Sequence, residues 1–165
     1  MKPRIMTTGL GLAAMIMAAM AGQDGLADAR MTDQGGPVRA PETTFRQICT
    51  ACHAERMAPD DMHARRTMAA PPMNLMSTLI RRKLGNDRQA FVDHVTGFTL
   101  APTADRALAM PRAIRRFGLM PPIQEIDPTL TEADIEAVAN WLYDHYDYEA
   151  ERGALRDHER DHHRP

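Results

Sequence analysis

The five residues Cys49-Thr50-Ala51-Cys52-His53 constrain this chain more than any other stretch, because they contain both of its cysteines. Two thiols separated by two residues suit four uses: a structural disulfide, a metal site, a redox dithiol or the covalent attachment of a haem. Each use demands different features elsewhere in the sequence. The surrounding residues therefore decide which use is favoured.

Three of the four uses lack support. A disulfide across two intervening residues closes a very small loop and stabilises little. A zinc site needs four ligands at recognisable spacing, and His63 has no second histidine at finger spacing. A redox dithiol is typical of a βαβ unit, and the chain shows no strand pattern.

The motif Cys-x-x-Cys-His indicates the fourth use directly, because the two thiols add to two vinyl groups of a haem and the histidine binds its iron. The sequence therefore predicts one covalent haem c and its iron, attached through Cys49 and Cys52, with His53 as an axial ligand. A thiol or metal protein without haem remains a further hypothesis.

An apolar, uncharged run at 7–21 follows two basic residues near the N-terminus. The run is too short to span a membrane comfortably but fits a signal peptide. Residues 27–29 match an A-x-A cleavage pattern, and 19–21 offer a second one. We expect 1–29 to be a signal peptide and the protein to be exported to the periplasm, where haem attachment takes place. An uncleaved membrane anchor is the alternative.

The remaining chain, about 136 residues, is enough for one modest domain. We expect a flexible leader at 30–40, a domain at 41–148, and a charged, disordered tail at 149–165. The tail is rich in histidine, and we expect a solvated, disordered end, with a metal-scavenging segment as the alternative. Its histidines are His158, His162 and His163.

Helical periodicity with clear breakers, and no strand signal, predicts an all-α fold. Asn74 is expected to cap the second helix, Gly97 to end the third, and Thr131 with Asp134 to open the last as a capping box. Residues 54–73 contain three prolines and are expected to form a long loop. The predicted helices span 41–52, 75–84, 88–96, 104–117 with a break at Pro111, and a final stretch from Thr131.

Charge is distributed unevenly along the chain. The net charge of −2 gives no basic field for nucleic acid. Residues 56–116 carry eleven Lys or Arg and five Asp or Glu, whereas 117–151 carry nine acidic residues and no Lys or Arg. We expect a dipolar molecule that orients towards charged partners, with ordinary solvated helix faces as the alternative.

From about Pro41 to Tyr146 the chain resembles the class I, small monohaem cytochromes c. Phe45 lies four residues before Cys49, where that family keeps an aromatic on its N-terminal helix. The stretch "LTEADIEAVANWLYDH" resembles the family's terminal helix. The resemblance implies N- and C-terminal helices that cross near Phe45 and Trp141 around a covalently bound haem c.

Two further segments carry implied roles. "APPM" resembles a family segment in which a proline carbonyl accepts a hydrogen bond from the axial histidine, which implies that Pro71 holds His53 Nδ1. "FGLMPP" resembles the segment that supplies the distal sulfur ligand, which implies Met120. Its prolines make a rigid, non-helical segment able to aim a thioether at iron. Other candidates for the distal position are Met73, Met76, Met110, His63, His94 and His145.

The resemblance implies a periplasmic electron-transfer protein rather than an enzyme, because His/Met ligation leaves iron no open position for a small-molecule substrate. It implies a free carrier, or a dedicated partner or subunit of a dehydrogenase or respiratory complex. The expected partners are redox proteins such as a dehydrogenase, an oxidase or a quinol-oxidising complex. The protein would reach a membrane only through them, unless the signal is uncleaved.

Basic residues are expected to rim the exposed haem edge and to give weak, salt-sensitive docking. These residues are Arg65, Arg66 and 81–83. The alternative function is a haem protein with an open or labile distal site that acts as a gas sensor or peroxidase.

Overall fold

The computed structural model of the protein describes residues 37–58, 60–109 and 111–162. Within them it contains α-helices and one 3₁₀ turn but no strand, which confirms the predicted all-α fold. The predicted signal peptide and most of the predicted leader lie outside these residues. The helices are α1 (Pro41–Ile48), α2 (Met62–Thr67), α3 (Met73–Lys83), α4 (Arg88–Leu100), α5 (Pro111–Phe117), α6 (Ile123–Ile126), α7 (Glu132–His145) and α8 (Tyr148–His162), and the 3₁₀ turn spans Cys49–Ala51.

The core forms where α7 packs against both α1 and α4. Phe45 on α1 is fully buried, and its ring centroid lies 5.1 Å from that of Trp141 on α7. Ala139, also fully buried, has a small side chain that permits close approach of the helices. This contact positions the two cysteines, because they follow α1 directly.

A second, smaller cluster lies where α6 meets the start of α7. Ile123, Leu130 and Ile135 are buried there, and Ile48 and Leu100 pack against them. The cluster explains why α4 continues through Gly97, which we had expected to end it. Packing of Leu100 outweighs the roughly 1 kcal/mol by which glycine disfavours a helix.

The predicted capping box at the start of α7 is confirmed. Thr131 Oγ1 accepts a hydrogen bond from Asp134 N (3.2 Å), and the Asp134 carboxylate accepts one from Thr131 N (2.9 Å). The same carboxylate accepts a bond from Arg39 N (2.7 Å). The last residues of the predicted leader are therefore tied to α7 rather than free.

The predicted loop at 54–73 contains a helix, α2, whose N-terminus is capped by Asp61. Its carboxylate accepts a hydrogen bond from Ala64 N at 2.8 Å. Asn74 does not cap α3 as predicted: Pro72 occupies the cap position, and the Asn74 side chain is buried inside the fold. Its amide bonds to the backbone of Met57, which leaves it unable to cap.

Two other predicted elements differ from the structure. In the stretch predicted as a helix over 104–117, residues 104–106 form a turn and only α5 is helical. Pro111 begins that helix rather than interrupting it, because proline suits a first helical position. Residues 149–162 of the predicted disordered tail belong to α8, where Tyr148 and Glu151 are buried. Glu151 contacts two distant residues, Arg56 and Asn74, and these contacts hold α8 against the fold. The polar composition of the segment alone could not indicate them.

No helix in the three described stretches is long and apolar enough to cross a membrane.

Candidate functional site

The Cys-Thr-Ala-Cys-His motif winds tightly after α1. The carbonyl of Cys49 accepts hydrogen bonds from the N–H groups of Cys52 (3.3 Å) and His53 (3.0 Å). The turn brings the side chains of all three residues to one cavity. Both cysteines are free thiols. The motif thus presents two sulfurs and an imidazole to the same space.

The cavity is walled almost entirely by apolar side chains and has a volume of about 150 Å³. An apolar lining with a few polar groups is typical of ligand-binding sites. An adjoining cleft of about 210 Å³ shares Cys52 and His53 with it. The residues that line the cavity are Ile48, Cys49, Cys52, His53, Met73, Met76, Ile80, His94, Val95, Phe98, Thr99, Met120, Pro121, Ile123, Ile126, Ile135, Val138 and Leu142.

His53 is held by the contact that the resemblance implies: its Nδ1 lies 2.6 Å from the carbonyl oxygen of Pro71. A carbonyl can only accept, so Nδ1 carries the hydrogen and Nε2 keeps a free lone pair. Burial lowers the pKa of His53, and the hydrogen bond to Pro71 opposes that shift. The imidazole is therefore neutral, which is its metal-binding form. The role of this pair towards a haem stays a prediction.

Met120 reaches the same cavity from a distant part of the chain. Gly118 ends α5 with a φ of 76°, a conformation that glycine adopts readily, and its N–H donates to Ile114 O at 2.8 Å. Pro121 and Pro122 follow and restrict the backbone. We call residues 118–122 the Met120 segment. The segment places the thioether at the cavity and at the adjoining cleft.

The other candidates for a distal ligand divide into two groups. Met73, Met76 and His94 also line the cavity. Burial lowers the pKa of His94, and the nearby Arg106 charge adds to the shift. His63 is exposed and does not line it, and Met110 lies outside the described residues.

His145 is engaged elsewhere. Its ring stacks on Trp141 with centroids 4.1 Å apart, and its Nε2 lies 3.0 Å from a carboxylate oxygen of Glu55. These contacts make His145 a structural residue beside the motif.

The thiol of Cys49 is not set up for redox or metal chemistry by itself. Burial raises its pKa to about 11, so the thiolate is scarce at neutral pH. Reactive cysteines instead have a lowered pKa.

Across the part of the chain that the structure describes, no group of three or more His, Cys, Asp or Glu side chains is placed to hold a metal. A haem iron differs in its demand, because the porphyrin supplies four ligands and the protein only two. His53 and Met120 together match the His/Met donor set of electron-transfer haem proteins.

The two groups of basic residues expected to form the docking surface differ in exposure. Arg81 is buried, and its guanidinium donates to the carbonyls of Tyr143 and Tyr146 at 3.0 Å each. It therefore supports the fold rather than a docking surface. Arg66 on α2 is exposed, and Arg65 lies beside a groove.

Comparison with known proteins identifies one relative. Over 111 residues the chain is 34% identical to an uncharacterized protein of Aquifex aeolicus (strain VF5), an alignment that covers 62% of this chain and 70% of the Aquifex protein. The chain belongs to the family of this Aquifex protein. No family model matches the chain, and no solved structure matches it.

The sequence did not predict the hydrogen-bonded residues around Glu55. Glu55 follows the motif by two residues, and its carbonyl accepts a hydrogen bond from the hydroxyl of Tyr146 at 2.8 Å. Asn74 and Glu151 join the same region. No local signal marks them, because their partners lie far away in the sequence.

Proposed function

We propose that the chain is an exported electron-transfer protein that holds one covalently attached haem c, as the resemblance to class I cytochromes c implies. One observation carries the proposal: the two thiols and imidazole of the motif meet the thioether of Met120 at one apolar cavity. The motif residues are neighbours in sequence, but Met120 is not. Because Met120 lines the same cavity as the motif, a single bound group could contact both.

The side chains present fit such a group. Cys49 and Cys52 would each form a thioether bond to a vinyl carbon, with the thiol proton passing to the adjacent vinyl carbon. His53 Nε2 and Met120 Sδ would provide the two protein ligands of the iron. The haem iron supplies a one-electron couple between its ferrous and ferric states. The apolar walls would disfavour the extra charge of the ferric state and so raise the potential.

Pro71 has a supporting role in this proposal. Its carbonyl holds the Nδ1–H of His53, which fixes the ring orientation and raises the basicity of the imidazole.

The proposal extends to redox partners with acidic surfaces. Five arginines on α2 and α5 make no ion pair with a carboxylate in the described residues, and we call them the α2–α5 arginine surface. Residues of α5 also line the cleft next to the motif. A dehydrogenase, an oxidase or a quinol-oxidising complex that presents carboxylates would dock there weakly and reversibly. The five residues are Arg65, Arg66, Arg112, Arg115 and Arg116.

Export to the periplasm is part of the proposal and rests on the sequence of residues 1–29.

Visible spectra of the full chain, made together with a haem-attachment system, test the proposal. We expect low-spin, six-coordinate spectra in both oxidation states, unchanged by carbon monoxide. Met120→Ala should open the iron, so that the reduced form binds carbon monoxide. Met76→Ala, a methionine on the same cavity, is the matched control and should keep the spectrum of the parent protein.

Each other result points elsewhere. Rapid carbon monoxide binding by the parent protein favours the gas sensor or peroxidase. The absence of a Soret band would show that the protein holds no haem. If the iron stays six-coordinate in Met120→Ala but becomes five-coordinate in His94→Ala, His94 is the distal ligand.

The docking surface is tested separately with small redox complexes. Oxidation by anionic hexacyanoferrate(III) should slow as salt rises, and should be slower in the double variant R112Q/R115Q. Oxidation by a cationic ruthenium ammine complex should not slow in that variant. Arg156→Gln, at an exposed arginine of α8, is the control. Equal rates for all variants would argue against the arginine surface.

A further inference from the structure

Glu151 on α8 has a buried carboxylate, with the residue only 9% exposed. Its oxygens accept hydrogen bonds from Arg56 Nη1 and from Asn74 Nδ2, the latter at 3.0 Å. Removing a carboxylate from water is unfavourable unless hydrogen bonds replace the lost hydration. The two donors belong to distant segments, so the burial of Glu151 joins α8 to the region that follows the cysteines.

That region is a ladder of hydrogen bonds between residues 53–57 and residues 71–74. Its first three bonds are His53 Nδ1 to Pro71 O (2.6 Å), Met73 N to Ala54 O (2.8 Å) and Asn74 N to Glu55 O (3.2 Å). The Asn74 amide closes the ladder, because it accepts from Met57 N and donates to Met57 O, each at 3.2 Å. The contact between His53 and Pro71 is therefore the first rung of a longer pairing.

The C-terminal part of the chain holds both sides of this ladder. Glu151 bonds to Arg56 on one side and to Asn74 on the other. Just before α8, the Tyr146 hydroxyl donates to the Glu55 carbonyl at 2.8 Å. A shift of one side relative to the other would break these bonds together.

We propose that Glu151 is a positioning residue for His53: by holding Arg56 and Asn74 it fixes the register of the ladder and keeps the Pro71 carbonyl on the Nδ1–H group. The part that concerns iron rests on the proposed function. In the haem-loaded protein a looser ladder weakens the Nδ1–H···O bond and makes the imidazole a poorer donor to iron. A poorer donor favours the ferrous state and raises the midpoint potential.

The exchange of the His53 Nδ1 hydrogen with solvent, followed by NMR in the reduced protein, tests the inference. The amide of Leu142, in the core of α7, reports global opening and serves as the internal reference. In Glu151→Ala we expect exchange at His53 to accelerate about tenfold relative to Leu142. Glu151→Gln keeps one accepting oxygen and should give a smaller effect. It also serves if Glu151→Ala does not fold.

Glu149→Ala is the matched control, because Glu149 lies on the same helix with its side chain 67% exposed. It should leave exchange at His53 unchanged. The midpoint potential gives a second readout: in Glu151→Ala the ferrous-to-ferric ratio at a fixed ambient potential should rise about threefold, where tenfold corresponds to about 59 mV.

Three results would overturn the inference. Exchange at His53 and Leu142 that rises in parallel would mean that Glu151 contributes only global stability. Unchanged exchange in both Glu151 variants would mean that the ladder does not depend on Glu151. A parent Nδ1 hydrogen that exchanges as fast as in free imidazole would mean that His53 is not held. If no haem is attached, the proposed function fails, but the exchange comparison still applies because every atom in the ladder belongs to the chain.

Discussion

The two sides of the cavity are held in different ways. Residues 49–57, which we call the motif wall, are tied by hydrogen bonds to α3, to the end of α7 and to α8. In the Met120 segment, Leu119, Met120 and Pro121 make no hydrogen bond to the rest of the described chain. The motif wall is therefore fixed by many distant contacts, whereas the Met120 segment depends on backbone stiffness and apolar packing.

This difference predicts a gradient of stability across the cavity. The motif wall should open only with the whole domain, whereas the Met120 segment should tolerate change and move locally. Substitutions on the two sides should therefore differ strongly in their effect on the free energy of unfolding.

The largest effect is expected from Phe45→Ala, which removes the fully buried ring that joins α1 to α7. The loss of buried surface and the resulting cavity should lower the free energy of unfolding by about 3 to 5 kcal/mol. Urea unfolding followed by circular dichroism measures it. Val38→Ala, at a residue 42% exposed, should change it by less than about 0.5 kcal/mol. Similar losses in both would contradict the role of Phe45.

The next effect is expected from Tyr146→Phe, which keeps the buried ring and removes only the hydroxyl that bonds to Glu55 O. The Glu55 carbonyl keeps its bond from Asn74 N, so losing the bond from the hydroxyl should lower the free energy of unfolding by about 0.5 to 1.5 kcal/mol. Urea unfolding gives the number, and Tyr143→Phe, whose hydroxyl bonds to Asn86 O at an exposed position, is the control. A smaller loss in Tyr146→Phe than in the control would show that the motif wall is held weakly.

A third, pH-dependent effect concerns Asp134, in the capping box at the start of α7. Burial alone would raise its pKa, but hydrogen bonds from Arg39 N and Thr131 hold the pKa below its ordinary value. The stabilisation is therefore complete above the unfolded pKa of about 3.9 and is lost as the pH falls through the folded pKa. Asp134→Asn should lower stability by about 1 kcal/mol at pH 7 and progressively less in acid. A stability difference that does not vary with pH would contradict this assignment.

The smallest effect is expected from Leu119→Ala in the Met120 segment, since Leu119 is 40% exposed. Its free energy of unfolding should lie within about 0.5 kcal/mol of the parent. Thermal and urea unfolding should agree on this. A loss as large as that of Tyr146→Phe would remove the contrast between the two sides of the cavity.

Sequence patterns predicted the parts of the fold that depend on neighbours along the chain. The helical periodicity and the capping box at Thr131 are local, and each is present in the structure. The extent of α8 is not local: its composition is strongly polar, and Glu151 is buried only because residues far away in the sequence contact it. The same reason applies to Asn74, whose capping chemistry is overridden by its contact with Met57.

The candidate site follows the same rule. The sequence indicated the CTACH residues because their spacing itself carries chemistry, and the resemblance supplied Pro71 and Met120. The sequence named His94 as a candidate beside His63 and His145 but could not single it out as the one that lines the cavity. A histidine on a helix has no periodic signal that separates cavity from surface.

The contact between Arg56 and Glu151 spans 95 residues. The motif is synthesised early and Glu151 late. The hydrogen bonds that hold the motif wall are therefore complete only when nearly the whole chain is present. Until α8 is present, Cys49 and Cys52 lack this support. Under the proposed function, that order would leave a period in which the thiols are accessible for haem attachment, and the arrival of α8 would end it.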